Sequence, residues 1–377
     1  MIILVAMGFY GSGAVSIGAR QYARALLWAG HEVLVVTDEA GAAAPEASDL
    51  PGRVEVVGVP VYRLPRVEIF GQELSFAWNC HKVVAGAAAK RRVDLVISQI
   101  SSHCFFLSRF SRSRGIPAAF VIRGLIWDRL ENAASHYNPL TKWLYLVSNR
   151  HAVRHSPYLI SISEYMKSMA VDHGANPEKA YILYNPVDTA VFKPDPDVEK
   201  DIDVLYVGRL SVEKGIKTLL EAAKSLPADK RVVIVGDGGL RDRLERTAAG
   251  LSCRVEFTGW IDNDDLPATT RRARVQVVPS RSEPQGRVVL EAMACGVPVI
   301  GSDTGGIGEM ISHGKNGWLF PPGDSKALAG LLAKALADPV VLETMGVAGR
   351  TTAESFSIPR FETRLAEMVE DMIARGV

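Results

Sequence analysis

An apolar segment followed by a glycine-containing turn and a helical segment occurs twice in this chain, once on either side of a proline-rich stretch. Residues 1–7 are almost wholly apolar, the turn at 8–13 is rich in glycine, and a second apolar run follows the helical segment at 32–37. The same pattern starts again at 204–207. Apolar runs of this length are typical of parallel strands buried on both faces. The sequence therefore predicts an α/β protein with two Rossmann-like parallel-sheet domains.

The length of 377 residues is sufficient for two domains of ordinary size. Residues 192–197, Phe-Lys-Pro-Asp-Pro-Asp, are rich in proline and mark the predicted boundary between them. We expect the first domain at 1–190 and the second at 200–356, with a last amphipathic helix at about 357–377.

The composition narrows the classes of protein to consider. Hydrophobic residues make up 47% and charged residues 23%, and the net charge is +1, as in a globular protein that does not bind nucleic acid. The four cysteines are far apart, which fits a reducing cytosol better than a zinc site or a disulfide framework. The chain begins with a strand rather than a signal peptide, and its apolar runs are shorter than the roughly 20 residues that span a bilayer. We therefore expect a cytoplasmic protein, in contact with a membrane only peripherally at its inner face.

Residues 282–298 read Ser-Glu-Pro-Gln-Gly-Arg-Val-Val-Leu-Glu-Ala-Met-Ala-Cys-Gly-Val-Pro. A short helix is predicted at 286–295, with Glu283 in the loop before it and Glu291 about two turns into it. Unpaired backbone N–H groups at the start of a helix suit an anionic or polyhydroxyl ligand. Because a carboxylate accepts two hydrogen bonds, two of them suit a ligand with two sets of hydroxyls, such as a nucleotide sugar. The alternative is a loop acid and a solvated helix acid without a ligand.

Arg209 and Lys214 flank the turn that follows the strand at 204–207. An arginine holds two phosphate oxygens with its planar guanidinium, a lysine supplies a point charge, and the next helix adds N–H donors. These groups predict a diphosphate site that requires no metal ion, the alternative being two ordinary surface cations. Asp195-Pro-Asp197 spells the D-x-D metal motif of another transferase fold, but it lies in the linker, so no metal site is predicted.

The string Glu-Pro-x-Gly-x-x-x-x-Glu-Ala-Met-Ala-x-Gly-x-Pro-Val at 283–299 resembles the E-x7-E signature of retaining glycosyltransferases of the GT-B fold, most of all their large family 4. The string Gly-Arg-Leu-x-x-x-Lys-Gly at 208–215 is similar to the donor-phosphate motif of that family. Carried over by position, the resemblance implies that Glu283 faces the donor sugar and Glu291 the ribose. Gln285 stands where the family usually has an aromatic residue.

The resemblance also implies further donor contacts and a mechanism. It assigns Arg209 and Lys214 to the diphosphate and, with Glu283, to catalysis; the other donor-side positions are Gly11, Gly13, Trp260, Gly286, Arg287 and Val288. Trp260 has two interpretations, because it either stacks on the nucleobase or caps the core. The reaction would retain the anomeric configuration and would require no metal or other cofactor. In the mechanism that the resemblance implies, the leaving phosphate itself deprotonates the acceptor. In GT-B proteins, the last helix crosses back onto the first domain.

His103 and Arg123 each follow a predicted strand, where α/β sheets place their ligands. The family often has a histidine near the donor sugar at the second position, so Arg123 is a departure, and we assign it to an anionic group of the acceptor. His103 is a second acceptor-side candidate, although a lone histidine is more often a structural residue.

Basic residues alternate with aromatic residues between 100 and 155, where acids are few. Basic helices with aromatic faces lie on anionic membrane surfaces, and such contact would suit a lipid-linked acceptor. The alternative is a solvated face above a buried stripe.

The sequence thus predicts a hexosyltransferase that moves a sugar from a UDP- or GDP-sugar to a glycan or lipid-linked acceptor, in the synthesis of a cell-surface polysaccharide or glycolipid. A sugar-nucleotide epimerase of the same fold and a non-catalytic nucleotide-sugar binding protein are the alternatives. A nicotinamide-dependent enzyme is a third, because the first turn is rich in glycine and Asp38 ends the second strand.

Overall fold

The computed structural model describes residues 1–9, 14–42, 54–62, 68–124 and 138–377. They form two compact units, of which the first comprises Met1–Tyr184 with Pro359–Val377, and the second comprises Asn185–Ile358. Each unit is built around one parallel sheet, so the prediction of two Rossmann-like parallel-sheet domains is confirmed.

The first unit contains a seven-stranded sheet with the strand order β3-β2-β1-β4-β5-β6-β7. Its strands are β1 Ile2–Val5, β2 Val33–Asp38, β3 Val54–Val59, β4 Leu95–Ser98, β5 Ala118–Ile122, β6 Tyr158–Ser161 and β7 Ala180–Ile182. All neighbouring strands are parallel. Every residue of β1, β4, β5 and β6 is buried, which explains why these segments do not alternate between apolar and polar residues. Their residues are apolar except for Ser98 and Ser161, the last residues of β4 and β6.

The described helices of the first unit's main segment connect these strands. They are α1 Ala14–Trp28, α2 Glu39–Ala42, α3 Glu68–Lys90, α4 Cys104–Arg114, α5 Pro139–His155 and α6 Glu164–Asp172. Helix α5 begins where Asn138 accepts a hydrogen bond from the Thr141 N–H at 2.8 Å, with proline in the first turn. Near the start of helix α3, the buried Phe70 packs edge-on against Tyr145 with ring centroids 5.1 Å apart.

The second unit contains a six-stranded parallel sheet with the order β10-β9-β8-β11-β12-β13. Its strands are β8 Ile202–Val207, β9 Arg231–Val235, β10 Arg254–Gly259, β11 Ala273–Val278, β12 Val299–Ser302 and β13 Gly317–Phe320. Its helices are α7 Ile216–Ala223, α8 Arg241–Ala248, α9 Leu266–Arg271, α10 Arg287–Ala294, α11 Ile307–Met310, α12 Ser325–Ala337 and α13 Pro339–Ser355. Because the strands are parallel, the loops after β8 and β11 emerge at the same edge of the sheet.

The division between the units lies earlier in the chain than the linker predicted at 192–197. From Asn185 onward the chain packs on the second unit: the Val187 N–H donates to the Phe356 carbonyl at 3.0 Å, and Phe192 is buried in that unit's core. Arg350 of α13 donates to the carbonyl of Phe192 at 2.8 Å. The prolines therefore follow a segment that already belongs to the second unit.

The last helix, α14 Ile358–Arg375, belongs to the first unit from Pro359 onward. Its apolar face is fully buried and consists of Phe361, Leu365, Met368, Val369 and Met372. Phe361 meets Tyr22 of α1 edge-on with ring centroids 5.5 Å apart, and Glu362 forms an ion pair with Arg24 at 3.3 Å. The predicted return of the C-terminal helix to the first domain is confirmed. Each helix in the described part of the chain is too short or too polar to cross a membrane.

Candidate active site

A cavity of about 130 Å³ lies at the carboxyl edge of the second unit's sheet. Its lining comes from the ends of β8 and β11 and from the segments after them: Tyr206, Val207, Gly208, Lys214, Val278, Ser280, Glu283, Gly286, Arg287 and Val288. Doubly wound sheets bind their ligands at this edge. Five of the donor-side residues predicted from the sequence, Lys214, Glu283, Gly286, Arg287 and Val288, therefore surround one cavity.

Lys214 and Glu283 form an ion pair in this cavity, with 2.6 Å between Nζ and Oε2. Ser280 donates a second hydrogen bond to the same carboxylate oxygen at 3.2 Å. The Glu283 side chain is 10% exposed and that of Lys214 29%, so the cation is the more accessible partner. The two motifs that the sequence placed 69 residues apart are thus joined by direct contact.

Gly215 brings these two motifs together. Its φ is +64°, and a Cβ atom on it would lie 1.8 Å from the carbonyl oxygen of Pro279, directly after β11. The Arg281 N–H also donates to the Glu213 carbonyl at 2.8 Å. A side chain at 215 would push the turn that carries Lys214 away from the loop that carries Glu283.

Arg209 lies at the exposed end of the same turn and is outside the lining of the cavity. The backbone of Arg209 is held in place, because the Tyr206 hydroxyl donates a hydrogen bond to the Arg209 carbonyl at 2.9 Å. Burial raises the pKa of Tyr206, with a smaller contribution from the negative charge of Glu283, so the phenol keeps the proton that it donates. The guanidinium remains at the surface, where it can turn toward a ligand in the cavity.

Helix α10 starts at the cavity, with Gly286 as its N-cap at φ +94°. A Cβ atom there would be 3.2 Å from side-chain atoms of Ile307 and Met310, which makes glycine the fitting residue. Glu291 is a little more than one turn into the helix, not two as predicted, because the helix begins at Arg287. The Glu291 carboxylate is buried and accepts from the Arg287 guanidinium at 2.9 Å, so it is not a solvated helix acid. It lies outside the lining of the described cavity.

Gln285 is 2% exposed and directs its amide to Asn185. Its Oε1 accepts from the Asn185 backbone N–H at 2.9 Å and from the Asn185 side-chain amide at 2.6 Å. Its Nε2 donates to the Asn185 carbonyl at 2.9 Å. Asn185, 100 residues away in the chain, was not among the site residues predicted from the sequence. The glutamine in place of the family's aromatic residue was a signal at this position.

Trp260 follows β10 and is 72% exposed, so it does not cap the core. Its indole N–H donates to the Asp262 carboxylate at 3.2 Å. The indole is outside the lining of the described cavity, and its stacking on a nucleobase stays a prediction.

In the first unit, Arg123 lies against α1. Its guanidinium carbon is 5.7 Å from the centre of the Tyr22 ring, and a Cβ atom on Gly18 would lie 2.0 Å from its Nη1. Gly18, which the sequence analysis missed, therefore leaves the space that the guanidinium occupies. This position follows β5, at the carboxyl edge of the first sheet, as expected for an acceptor-side residue.

His103 is completely buried, with Nδ1 3.1 Å from the Ser98 hydroxyl. Burial, and to a smaller extent the neighbouring His81, lowers the pKa of His103 to about 3, so its ring is neutral at physiological pH. A ring with no exposed surface does not reach a ligand in solvent, which favours the structural interpretation over the acceptor-side one.

The nicotinamide alternative depended on Asp38 and the first glycine-rich turn. Both oxygens of the Asp38 carboxylate accept backbone hydrogen bonds, from the Gly8 N–H at 2.5 Å and the Gly41 N–H at 3.1 Å. This pairing gives Asp38 a structural role at the end of β2 rather than a ribose contact. Gly11 and Gly13 lie outside the described residues.

The acids near the linker also have protein partners. Asp195 accepts from the Asp197 N–H at 3.2 Å, which closes a local turn. Asp201 pairs with Arg272 at 2.6 Å and with Arg231 at 2.5 Å, and the Arg272 hydrogen bond is the main reason that the pKa of Asp201 falls to about 2. Within the ranges that the structure describes, no cluster of three histidine, cysteine or acidic side chains is arranged to hold a metal ion.

Comparison with protein families decides the classification of this site. The model described as glycosyl transferases group 1 matches residues 188–352, and the model described as glycosyl transferase 4-like domain matches residues 13–186. The chain belongs to the group 1 glycosyltransferases. The ion pair and the start of α10 lie within the group 1 match, and Arg123 lies within the other.

Individual proteins and structures are also similar to this chain. The chain is 29% identical to alpha-D-kanosaminyltransferase of Streptomyces kanamyceticus over 281 residues, 66% of this chain and 70% of that protein. It is 37% identical to sulfoquinovosyl transferase SQD2 of Arabidopsis thaliana over 156 residues, 41% of this chain but only 30% of that protein. The structure of Anabaena HepE in complex with UDP superposes with a TM-score of 0.77 at 23% identity, over 98% of this chain and 100% of that one. The predicted GT-B fold is thereby confirmed.

Proposed function

We propose that this group 1 glycosyltransferase moves a sugar from a UDP- or GDP-sugar to a glycan or lipid-linked acceptor, with retention of configuration and without a metal ion. The reaction would belong to the synthesis of a cell-surface polysaccharide or glycolipid. The observation that carries the proposal is the Lys214–Glu283 ion pair in a cavity at the start of α10. It brings a cation for phosphate and a carboxylate for sugar hydroxyls into one small volume.

The main electrostatic task is to neutralise the diphosphate as it leaves. Lys214 supplies a point charge inside the cavity, and Arg209 supplies a planar guanidinium from the exposed end of the same turn. The free N–H groups at the start of α10 add fixed partial positive charge. Groups of this kind act most strongly on charge that develops in the transition state.

The acids then hold the neutral parts of the donor. Glu283, at the cavity, accepts hydrogen bonds from sugar hydroxyls once Lys214 turns to the phosphate, and the Gly286 backbone approaches the sugar closely because it carries no side chain. Glu291 accepts hydrogen bonds from the ribose after a rotation of its side chain. With the diphosphate neutralised by protein groups, its own oxygen serves as the base for the acceptor hydroxyl, as the family resemblance implies.

The alternatives fit less well. Matches to glycosyltransferase models cover both units, which does not favour an epimerase or a non-catalytic binding protein. HepE, which shares the fold, was solved with UDP, which supports a nucleotide-sugar donor here.

The test is calorimetric titration of UDP and of GDP into the protein in the presence of EDTA. We expect one of the two to bind with micromolar affinity, and the nucleotide that binds identifies the base of the donor. Binding of neither nucleotide, or binding only after a divalent cation is added, would contradict the proposed donor site.

We also propose that the first unit contacts an anionic membrane through α5. Leu140, Trp143 and Val147 are exposed at spacings of three and four residues, so they form one apolar stripe along the helix, and Arg150 and Arg154 continue it with positive charge. Neighbouring α4 exposes Arg109, Arg112 and Arg114. Apolar and basic side chains on one helical surface bind the interface of an anionic bilayer, where a lipid-linked acceptor would be found.

Trp143→Ala/Arg150→Glu is expected to reduce binding to vesicles of phosphatidylglycerol and phosphatidylcholine at least about tenfold, because each cation near an anionic surface contributes about 1 kcal/mol. Co-sedimentation measures the effect. Trp28→Ala/Arg243→Glu is the matched control, since both tryptophans are 58% exposed and both arginines lie on exposed helix faces. Equal binding by the two variants would show that α5 is not the membrane surface.

A further inference from the structure

The loop that carries Glu283 is attached to the rest of the second unit at a point outside the cavity. All hydrogen bonds of the Gln285 amide go to Asn185, two to its backbone and one to its side chain, at 2.6–2.9 Å. Gln285 stands between Glu283 and Gly286, yet it is buried and does not line the cavity. Its side chain therefore serves the position of the loop rather than a direct contact with the ligand.

The opposite side of the loop is held by backbone contacts. The Gly306 N–H donates to the Glu283 carbonyl at 3.0 Å. A Cβ atom on Gly306 would lie 2.6 Å from the Cα atom of Gln285, so the two backbones are in direct contact. The loop is thus clamped between Gly306 and Asn185, and the direction of the Glu283 carboxylate depends on both.

Residues 185–192, called the strap below, begin with Asn185 and run from the N-terminal end of α10 to its C-terminal end. The Val187 N–H donates to the Phe356 carbonyl at 3.0 Å. Arg350 then binds three carbonyls, those of Thr189 at 3.2 Å, Phe192 at 2.8 Å and Ala294 at 2.8 Å, and Ala294 is the last residue of α10. The strap therefore braces both ends of the helix that carries Glu291.

We propose that Gln285 and Asn185 are positioning residues for transfer: their hydrogen-bonded pair fixes the loop from Glu283 to Gly286 against the donor sugar. The inference rests on the proposed function of the cavity. The proposed nucleotide contacts, Arg209 and Lys214, lie on a different turn, which the packing of Gly215 against Pro279 holds in place rather than the pair. Its loss should therefore lower turnover and leave nucleotide affinity nearly unchanged.

Gln285→Leu removes all three hydrogen bonds at similar volume. We expect kcat to fall about tenfold to a hundredfold, the range that follows from a small misplacement of a reacting group, while the Kd for UDP or GDP stays within about twofold. Turnover is measured as nucleotide release with the most active member of a panel of UDP- and GDP-sugars. Hydrogen exchange of a peptide covering 281–290 should become faster in the variant.

Asn316→Leu is the matched control, because Asn316 is also buried in the second unit and makes three hydrogen bonds, at 2.7 Å to Ser312, 3.0 Å to Met310 and 2.9 Å to Thr352. We expect a comparable loss of Tm with kcat and exchange at 281–290 close to wild type. Equal kcat in wild type and Gln285→Leu, or unchanged exchange at 281–290, would overturn the inference. If the proposed function is wrong, the wild-type protein will bind neither UDP nor GDP. In that case, hydrogen exchange at 281–290 still tests whether Gln285 fixes the loop.

Discussion

Arg209→Ala/Lys214→Ala is expected to lower kcat/KM for the nucleotide-sugar donor by about 10³-fold or more. Loss of a single preorganised group that stabilises transition-state charge costs about 10²–10³-fold, and this variant removes two. It also leaves the Glu283 carboxylate without its ion-pair partner in the cavity. The measurement is the initial rate of nucleotide release at subsaturating donor, with the Kd for UDP or GDP obtained by calorimetry on the same samples.

The control is Lys217→Ala/Arg243→Ala, which removes the same two charges from exposed positions on the neighbouring helices α7 and α8. If the control variant loses as much activity, the donor is bound by the overall positive charge of this surface and not by Arg209 and Lys214 specifically. A double variant with kcat/KM within about threefold of wild type would refute the assignment of Arg209 and Lys214, since even one such group is expected to contribute more.

His103 is expected to lower the stability of the protein as the pH falls below about 6.5. Its ordinary pKa is 6.5 and its pKa in the folded protein is about 3, because the ring is buried beside His81. Between these values the unfolded chain binds a proton that the folded chain does not, so stability falls with falling pH by up to about 1.4 kcal/mol per pH unit. Above pH 6.5 the contribution of His103 is complete and constant.

Urea unfolding of the wild type and of His103→Gln at several pH values from 7.5 to 4.5 measures this contribution. The variant should be less stable at pH 7.5, and its urea midpoint should fall less steeply toward pH 4.5. His155→Gln, which alters an exposed imidazole on α5, is the control and should follow the wild type. Parallel profiles for wild type and His103→Gln would show that another group is responsible for the acid sensitivity.

The sequence was sufficient to predict the strands and the motifs because both are local. Four residues of continuous apolar side chains identify β1, and the composition of residues 286–295 identifies the helix that carries Glu291. The pairing of Lys214 with Glu283 was not predictable from composition alone; it follows from the parallel sheet, which brings the ends of β8 and β11 to one edge.

The errors concern contacts between distant segments. The unit boundary was placed too late because prolines are visible in a sequence, whereas the bonds from Asn185 to Gln285 are not. His103 was a reasonable ligand candidate by its place after a strand, but its exposure depends on how α3 and α4 pack above it.

The contact between Lys214 and Glu283 means that the charge of the lysine is already balanced by a carboxylate of the protein. In the proposed reaction, a diphosphate has to displace Glu283 from Lys214, whose Nζ lies 2.6 Å from the carboxylate. Donor binding would then be an exchange of partners, in which the lysine contacts the phosphate and the carboxylate becomes available to the sugar. Inorganic phosphate, which offers nothing to the displaced Glu283, gains less from this exchange than a complete nucleotide sugar. On this proposal, the pair is expected to favour a nucleotide sugar over inorganic phosphate.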